Sequence, residues 1–238
     1  MRLPPLEACL LAALAACSAP AAGGPPEGFE LVYSQDFESA GWCTDFGASD
    51  PELWASDREG GGGTAFCRGS SGREGPFGSP PDFLWLGGVS VGDFVLEFDV
   101  FLPAPGVQEL AVYFGIETPE SFVYASLAPH ADARRHDVFR VDHAPPLSIS
   151  KLRTFGVALP AGVWQRVRVA RSTVGGRVSI AFGERPATVL TAGNGALAPG
   201  WIGFGVRGGP AHFDQVRLWA PEWTMQSLDF LPPPAQGR

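Results

Sequence analysis

The run Asp-Phe-Val-Leu-Glu-Phe-Asp-Val at residues 93–100 decides the fold class of this chain. Its even-numbered positions are all apolar, while Glu97 and Asp99 lie on the other side of an extended backbone. This period of two predicts a β-strand with one buried face, because successive side chains of a strand point to opposite sides. Residues 177–182 alternate in the same way, and the preceding Gly175-Gly176 pair is typical of a tight hairpin turn.

The same pattern recurs along most of the chain. Short apolar or alternating runs, bounded by glycine or proline, predict strands at 29–37, 83–89, 93–102, 109–116, 121–127, 136–142, 163–171, 177–182, 187–191, 201–207 and 211–219. No segment shows a convincing helical period. We therefore expect an all-β, antiparallel fold of two packed sheets rather than a helical or mixed one.

Composition is consistent with one β-rich domain. The 238 residues are 45% hydrophobic, which is enough for one large core, and they include 31 glycines and 23 prolines, which suit a fold with many turns. We expect this domain to span residues 29–220. The formal charge of −8 argues against nucleic acid as a partner, because phosphate binding needs a basic surface.

The two ends of the chain lack this pattern. Residues 1–16 predict an export signal whose apolar stretch is too short to span a bilayer. Residues 14–17, Leu-Ala-Ala-Cys, resemble the bacterial lipobox, which predicts lipidation of Cys17 and attachment to the cell envelope through a lipid anchor alone. The alternative is ordinary cleavage after residues 19–21, giving a periplasmic or extracellular protein. Residues 17–28 predict a Pro/Gly/Ala tether, and residues 221–238 a loose tail.

Two cysteines, Cys43 and Cys67, fall within the predicted domain. An exported protein resides in an oxidising compartment, so we expect a disulfide between them, worth roughly 3 kcal/mol in the loop-entropy model. A zinc pair is the weaker alternative, because neither cysteine has a Cys or His partner at ligand spacing.

The order of several motifs resembles the concanavalin A-like lectin/glucanase superfamily, especially its laminin-G-like and 3-keto-disaccharide-hydrolase-like branches. The motifs are Asp36-Phe37, DFVLEFDV at 93–100, GVWQRVRVAR at 162–171, GGRVSIAFGE at 175–184, GWIGFGV at 200–206 and HFDQVRLW at 212–219. The resemblance implies a two-sheet jelly-roll sandwich over residues 29–220. It also implies carbohydrate, such as cell-wall glycan, bound on the concave face or at its rim.

Laminarinase-type members of this superfamily carry Glu-x-Asp-x-x-Glu on one strand. Glu97 and Asp99 match the first two positions, but Leu102 replaces the second glutamate. Retaining glycosidases need two carboxyl groups about 5–5.5 Å apart, and one of the pair is missing here. We therefore treat Glu97 and Asp99 as weak catalytic candidates and expect them to be polar residues on the outward face of an ordinary strand.

Residues 130–153 concentrate histidine, arginine and the chain's one lysine. Guanidinium groups bind carboxylates and hydroxyl-rich ligands, and imidazole exchanges protons near neutral pH. The alternative is a solvated loop and edge strand of mixed charge. The candidate ligand-binding residues are His136, Arg140, His143, Lys151 and Arg153, and His136 and Lys151 are also candidates for catalysis by a glycan hydrolase or lyase.

Two further candidate sites involve aromatic and acidic residues. Trp85 and Tyr124 are the aromatic side chains best placed for stacking on sugars, although burial in the core is the alternative for each. Asp36 and Asp214 lie near the two ends of the domain, which are often neighbours in jelly rolls, and they predict a structural calcium site. The alternative is that both aspartates cap turns. The sequence predicts no other cofactor.

Three functions follow from these observations. The first is an exported, membrane-tethered module that binds poly- or oligosaccharide on its concave face. The second is a glycan-degrading enzyme that uses the His/Arg/Lys cluster. The third is a structural or adhesive surface protein without a small ligand.

Overall fold

The computed structural model describes residues 24–58, 62–69, 78–79, 82–103, 109–118, 120–127, 136–150, 160–182, 188–191 and 198–225. Cys17, Lys151 and Arg153 lie outside these residues, as does the predicted export signal. Two short 3₁₀ helices, Ala40–Thr44 and Pro51–Leu53, are the helical elements of the described part of the chain. Neither is long or apolar enough to cross a membrane.

The remaining elements are strands, numbered here in chain order. They are β1 (Glu30–Gln35), β2 (Phe46–Ala48), β3 (Trp54–Asp57), β4 (Thr64–Cys67), β5 (Asp82–Val91), β6 (Phe94–Phe101), β7 (Glu109–Thr118), β8 (Ser121–Leu127), β9 (Asp137–Asp142), β10 (Leu147–Ser148), β11 (Trp164–Ser172), β12 (Arg177–Phe182), β13 (Thr188–Thr191), β14 (Gly200–Arg207), β15 (Ala211–Ala220) and β16 (Trp223–Met225).

These strands form two antiparallel sheets, which confirms the predicted all-β sandwich. Sheet A has the order β13-β12-β11-β6-β15-β4-β3, with β1 also paired to β15. Sheet B has the order β10-β9-β8-β7-β14-β5-β16, with β2 also paired to β5. Neighbours in the sheets are often distant in the sequence, because the chain crosses repeatedly between the two layers.

The core fills the space between the two sheets. The even-numbered side chains of β6, from Phe94 to Val100, are buried there, as their alternation predicts. Phe98 of sheet A stacks on Phe204 of sheet B with a ring-centroid distance of 5.3 Å, and Phe213 packs against both rings. These aromatic contacts join the layers at the centre of the sandwich and exclude water from it.

The predicted disulfide is wrong, because Cys43 and Cys67 are both free. Cys43 is exposed on the first 3₁₀ helix, whereas Cys67 lies on β4 with its side chain buried in the core. A disulfide requires the two Cβ atoms to lie within about 4.5 Å of each other, and these side chains occupy different environments. Burial raises the pKa of the Cys67 thiol to about 12, which keeps it protonated.

Two segments contain more structure than the sequence predicts. Residues 38–82, where the sequence pattern predicts no strand, supply β2, β3, β4 and both 3₁₀ helices. The segment expected to be a loose tail begins with β16, which pairs with residues 89–91 of β5. All three side chains of β16 are exposed, so backbone hydrogen bonds rather than apolar burial define this strand.

Candidate functional site

The outer face of sheet B, which does not contact sheet A, is unusually apolar. An antiparallel sheet that packs one face on a core commonly presents polar side chains on the other. Here a second hydrophobic cluster, separate from the core, covers the outer face. Its aromatic members, which define the aromatic face, are Phe83, Trp85, Tyr113, Phe122, Tyr124, Phe139 and Trp201.

Two glycines of β14 shape the centre of the aromatic face. Gly205 is the register partner of Phe83 on β5, and Gly203 is the partner of Tyr113 on β7. Because neither glycine has a side chain, the rings of Phe83 and Tyr113 meet above β14, with centroids 4.6 Å apart and planes at 26°. The stacked rings of Phe83 and Tyr113 therefore cover the two glycines at the centre of the aromatic face.

The sequence-predicted residues Trp85 and Tyr124 both belong to this face, and both are buried, at 5% and 3% exposure. Tyr124 stacks on Phe139 with a centroid distance of 5.1 Å. The Trp85 indole lies against the backbone of β2, where a Cβ at Gly47 would come within 2.7 Å of Nε1. That Nε1 has no hydrogen-bond acceptor among the described residues.

One end of the aromatic face is polar. Glu109 and Arg207 are register partners on β7 and β14, and Arg207 Nε lies 3.3 Å from Glu109 Oε2. Both side chains are largely buried, and Arg207 Nη2 also donates to the carbonyl of Gly78 at 2.6 Å. Burial, and secondarily the charge of Glu109, raise the pKa of Tyr113 and of Tyr124 above its ordinary value. The two hydroxyls therefore stay protonated and neutral.

His136 and Asp137 lie at the corresponding end of β8 and β9. Asp137 is the register partner of Ser126, its Oδ2 accepts a hydrogen bond from the Ser148 hydroxyl at 2.6 Å, and its Oδ1 accepts one from the Val138 amide at 2.7 Å. His136 is buried beside it, and burial lowers the pKa of its imidazole although Asp137 opposes the shift. The predicted candidate His136 is therefore a neutral imidazole at pH 7.

Arg140 and His143 lie toward the other end of β9. His136 precedes the strand and His143 follows it, so an extended backbone separates them by roughly 20 Å. Arg140 forms an exposed ion pair with Asp142 at 2.8 Å and lines an open cavity of about 140 Å³ together with Ser121. The structure thus divides the predicted histidine–arginine cluster between two places, and Lys151 and Arg153 lie outside the described residues.

Glu97 and Asp99 lie on the outer face of sheet A, on the opposite side of the sandwich from the aromatic face. Arg168 forms an ion pair with Glu97, and Arg166 binds Asp99 through two hydrogen bonds of 2.8 Å. Leu102, at the position of the missing glutamate, is buried in the core. Each carboxylate therefore already has a cationic partner.

The predicted calcium ligands Asp36 and Asp214 each accept a hydrogen bond from a nearby backbone amide. Asp36 Oδ1 accepts from Glu38 at 3.2 Å, and Asp214 Oδ1 accepts from Gln215 at 2.6 Å, where a bulge interrupts β15. Burial, together with the charges of neighbouring carboxylates that include Asp36, raises the pKa of Asp214. Within the described ranges, no three acidic, histidine or cysteine side chains are grouped to hold a metal ion, and calcium stays a prediction.

Comparison with known proteins places the fold in a recognised class. No family model and no curated protein matches the chain. A Bacillus subtilis protein of unknown function with a galectin-like fold superposes with a TM-score of 0.56 and 11% identity over 83% of this chain and all of that one. A carbohydrate-binding module, CBM66, from Bacillus subtilis superposes with a TM-score of 0.53 and 14% identity, over 72% of this chain and 93% of the module. The β-glucanase of Bacillus licheniformis superposes with a TM-score of 0.52 and 10% identity, over 79% of this chain and 97% of the glucanase. At these identities the likeness shows the fold, a jelly-roll sandwich of the galectin and glucanase type.

Sequence reasoning missed several members of the site. Tyr113, Glu109 and Arg207 are not distinguished by any local motif, because strand pairing alone brings β7 and β14 together. The usable signal is the Gly203-Phe204-Gly205 alternation, since glycine inside a strand often marks a close approach by another group.

Proposed function

We propose that this chain is an exported, membrane-tethered module that binds poly- or oligosaccharide on the aromatic face of sheet B. A sugar ring has apolar C–H faces and a hydroxyl edge, so it needs aromatic surface next to hydrogen-bonding groups. The aromatic face combines these two kinds of group: seven aromatic rings, six of which are at most 5% exposed, and the hydroxyls of Tyr113 and Tyr124 with the Glu109–Arg207 ion pair at one end.

The observation that carries the proposal is the indole N–H of Trp85. It is buried on this face without an acceptor among the described residues, and a buried donor left without a partner costs about 1–3 kcal/mol. A sugar hydroxyl that accepted this hydrogen bond would recover that cost. The donor and the rings around it thus fit a ligand with hydroxyls and apolar faces better than a purely apolar one.

Two further observations support the proposal. Two solved structures with this fold are, by their names, a carbohydrate-binding module and a β-glucanase, which supports the carbohydrate class. The lipobox-like residues 14–17 and the proline- and glycine-rich tether that follows support attachment to a membrane surface. The ion pairs that hold Glu97 and Asp99 give the enzyme alternative no support from those residues.

The test is a depletion experiment with the purified chain and a panel of soluble and insoluble polysaccharides, in which binding and release of soluble sugar are measured together. We expect binding without release. Tyr124→Phe should weaken binding about three- to tenfold, because it removes one hydroxyl and keeps the ring. Tyr33→Phe is the matched control, because the Tyr33 hydroxyl donates to Asp45, away from the aromatic face.

Other outcomes would point to the other two functions. Release of sugar would favour the enzyme, and Glu109 and Asp137 would then be the carboxylates to substitute. Absence of binding across the whole panel would favour the structural or adhesive protein.

A further inference from the structure

A cavity of about 140 Å³ lies where the aromatic face meets the turn between β7 and β8. Phe122 and Val141, which belong to the hydrophobic cluster on the outer face of sheet B, form part of its wall. Ser121 and Arg140 line it as well, and both are at least partly exposed. This cavity, called the end cavity below, therefore borders the aromatic face where β7 finishes, whereas the polar end described above is where β7 starts.

A buried arginine lies behind the wall of the end cavity. Arg171 of β11 is 2% exposed, and its Nη2 donates to the carbonyl of Ala198 at 3.0 Å. Its Nη1 lies 3.9 Å from the position that a Cβ on Gly115 would occupy. Because Ala198 and Gly115 both line the cavity, the guanidinium group lies directly behind two of its wall residues.

The surroundings of Arg171 screen its charge weakly. Its guanidinium carbon lies over the ring of Phe114, 5.5 Å from the centroid. Burial lowers the pKa of Arg171 to about 10, while the charge of Asp93 opposes the shift, so the group is still a cation at pH 7. A charge in a protein interior acts on its neighbours more strongly than one in water, because the effective dielectric constant is about 20 instead of about 80.

Charges of both signs surround the end cavity, and their exposure decides which of them dominates. Arg140 is 44% exposed and pairs with Asp142, which is 52% exposed, so this pair is neutral as a whole. Glu117 also lines the cavity and is exposed. Water and salt screen these three side chains. The balance inside the cavity is therefore between Arg171 and Glu117, and the buried cation is the less screened of the two.

We infer that the end cavity takes a carboxylate group of the glycan, so that the ligand of the aromatic face is an acidic polysaccharide. The inference rests on the proposed function for the place of the sugar rings, and it adds the chemical class of the sugar. The guanidinium of Arg140 and the hydroxyl of Ser121 are donors on the cavity wall that suit a carboxylate, and Arg171 adds positive charge from behind the wall.

Two other occupants fit the end cavity less well. A neutral sugar gains little from the buried charge of Arg171, because it carries no charge of its own to interact with it. A metal cation would be repelled by Arg171 and Arg140. Among the residues that the structure describes, there is also no group of three acidic, histidine or cysteine side chains to hold such a cation.

The test compares acidic polysaccharides with neutral forms of the same polymers. Polygalacturonate, alginate and hyaluronan are each paired with a form whose carboxyl groups have been reduced to hydroxymethyl groups, and binding to the full chain is measured by calorimetry. The net charge of −8 repels an acidic polymer as a whole, so a preference for the acidic form requires local positive charge. We expect one acidic polymer to bind about tenfold more tightly than its reduced form at about 50 mM salt, and this preference to shrink at about 500 mM.

Two arginine variants form a matched pair for this test. Arg140 and Arg166 are each about half exposed and each bind an aspartate at 2.8 Å, but Arg166 lies on the outer face of sheet A, away from the end cavity. Arg140→Gln should reduce the preference for the acidic form about threefold, and Arg166→Gln should leave it unchanged. Arg171→Met should abolish the preference. If Arg171→Met does not fold, as judged by circular dichroism, the matched pair and the wild-type comparison decide the matter.

The inference and the proposed function fail in distinguishable ways. Equal binding of the acidic and reduced polymers, weakened in Tyr124→Phe, overturns the inference and leaves the aromatic face as the site. A preference for the acidic form that Arg166→Gln removes and Arg140→Gln keeps also overturns the inference. Acid-selective binding that Arg140→Gln weakens and Tyr124→Phe leaves unchanged supports the end cavity and overturns the assignment of the sugar rings to the aromatic face. Absence of binding to every polymer overturns both.

Discussion

The rings of Phe83 and Tyr113 stack at 4.6 Å although a whole strand, β14, lies between the strands that carry them. Two strand spacings put β5 and β7 roughly 9.5 Å apart, so the two side chains must lean toward each other across the intervening backbone. They can do so because Gly203 and Gly205 leave that backbone bare. The aromatic face, and hence the proposed glycan site, depends on this pair of glycines.

Replacing Gly205 with alanine should destabilise the protein by about 3 kcal/mol, because overpacking forces the surrounding backbone to move. A Cβ at this position would lie 2.6 Å from the Cα of Phe83 on the neighbouring strand. The measurement is the urea midpoint of unfolding. Gly41→Ala is the control, since a Cβ there meets nothing within 4 Å, and it should change stability by no more than about 0.5 kcal/mol. Equal midpoints for the two variants would contradict the close approach of β14 and β5.

The three tyrosines of the chain should resist ionisation at pH 10. Burial raises the pKa of Tyr33, Tyr113 and Tyr124 in the folded state, whereas an unfolded tyrosine titrates near pH 10. The folded state therefore holds these protons more tightly. The tyrosines leave the free energy of unfolding unchanged below pH 10 and lower it as the pH rises above 10. Burial lowers the pKa of Arg171 to about 10, which changes the free energy of unfolding in the opposite direction. This is one group against the three tyrosines.

The check is tyrosinate absorbance during an alkaline titration, together with urea unfolding at pH 9 and pH 11. Absorbance should rise with unfolding rather than before it, and the unfolding free energy should be lower at pH 11. Half-ionised tyrosine in the folded protein at pH 10 would show that the hydroxyls are not buried as described.

Alkylation should separate the two cysteines of the domain. Cys43 is exposed and should react with iodoacetamide in the folded protein, whereas Cys67 is buried with its thiol pKa raised to about 12 and should react only after unfolding. Peptide mapping before and after addition of concentrated guanidinium chloride makes the comparison. Recovery of a peptide linked between Cys43 and Cys67 would restore the disulfide that the sequence predicts.

His136 should make the protein less stable in mild acid. Burial lowers the pKa of its imidazole, so near pH 6.5 the unfolded state binds a proton that the folded state does not bind. The free energy of unfolding therefore falls as the pH decreases from 7 to 5. His136→Gln should reduce this slope by at most about 1.4 kcal/mol per pH unit. His143→Asn is the control, because His143 is exposed and asparagine tolerates its positive φ. An unchanged slope in His136→Gln would mean that another group controls acid stability.

The fold was predictable from local sequence because alternation is a local property. Residues 93–100 bury their even-numbered side chains as predicted, since the face of a strand depends only on its own period of two. The short strands β2 and β16 were missed for the opposite reason. Their backbones hydrogen-bond to β5, and their positions depend on a partner elsewhere in the chain rather than on an apolar pattern of their own.

The site was predictable only in part. Trp85, Tyr124 and His136 do belong to the outer face of sheet B or to its polar end, but they are buried rather than exposed. Arg140 and His143, close to His136 in the sequence, are carried away from it because an extended strand adds about 3.3 Å per residue. Residues that are close in sequence lie close in space within a helix, whereas along the extended strand β9 they are carried apart.

The bare side of β14 also prevents this strand from slipping against its neighbours. A shift of one residue exchanges the two faces of a strand, so Ile202 and Phe204 would be driven toward Phe83 and Tyr113, while the glycines would open voids toward sheet A. A one-residue misalignment of β14 therefore combines a clash on one side with a cavity on the other. The two glycines that let the aromatic rings stack across β14 thus also disfavour one-residue slippage among the central three strands of sheet B.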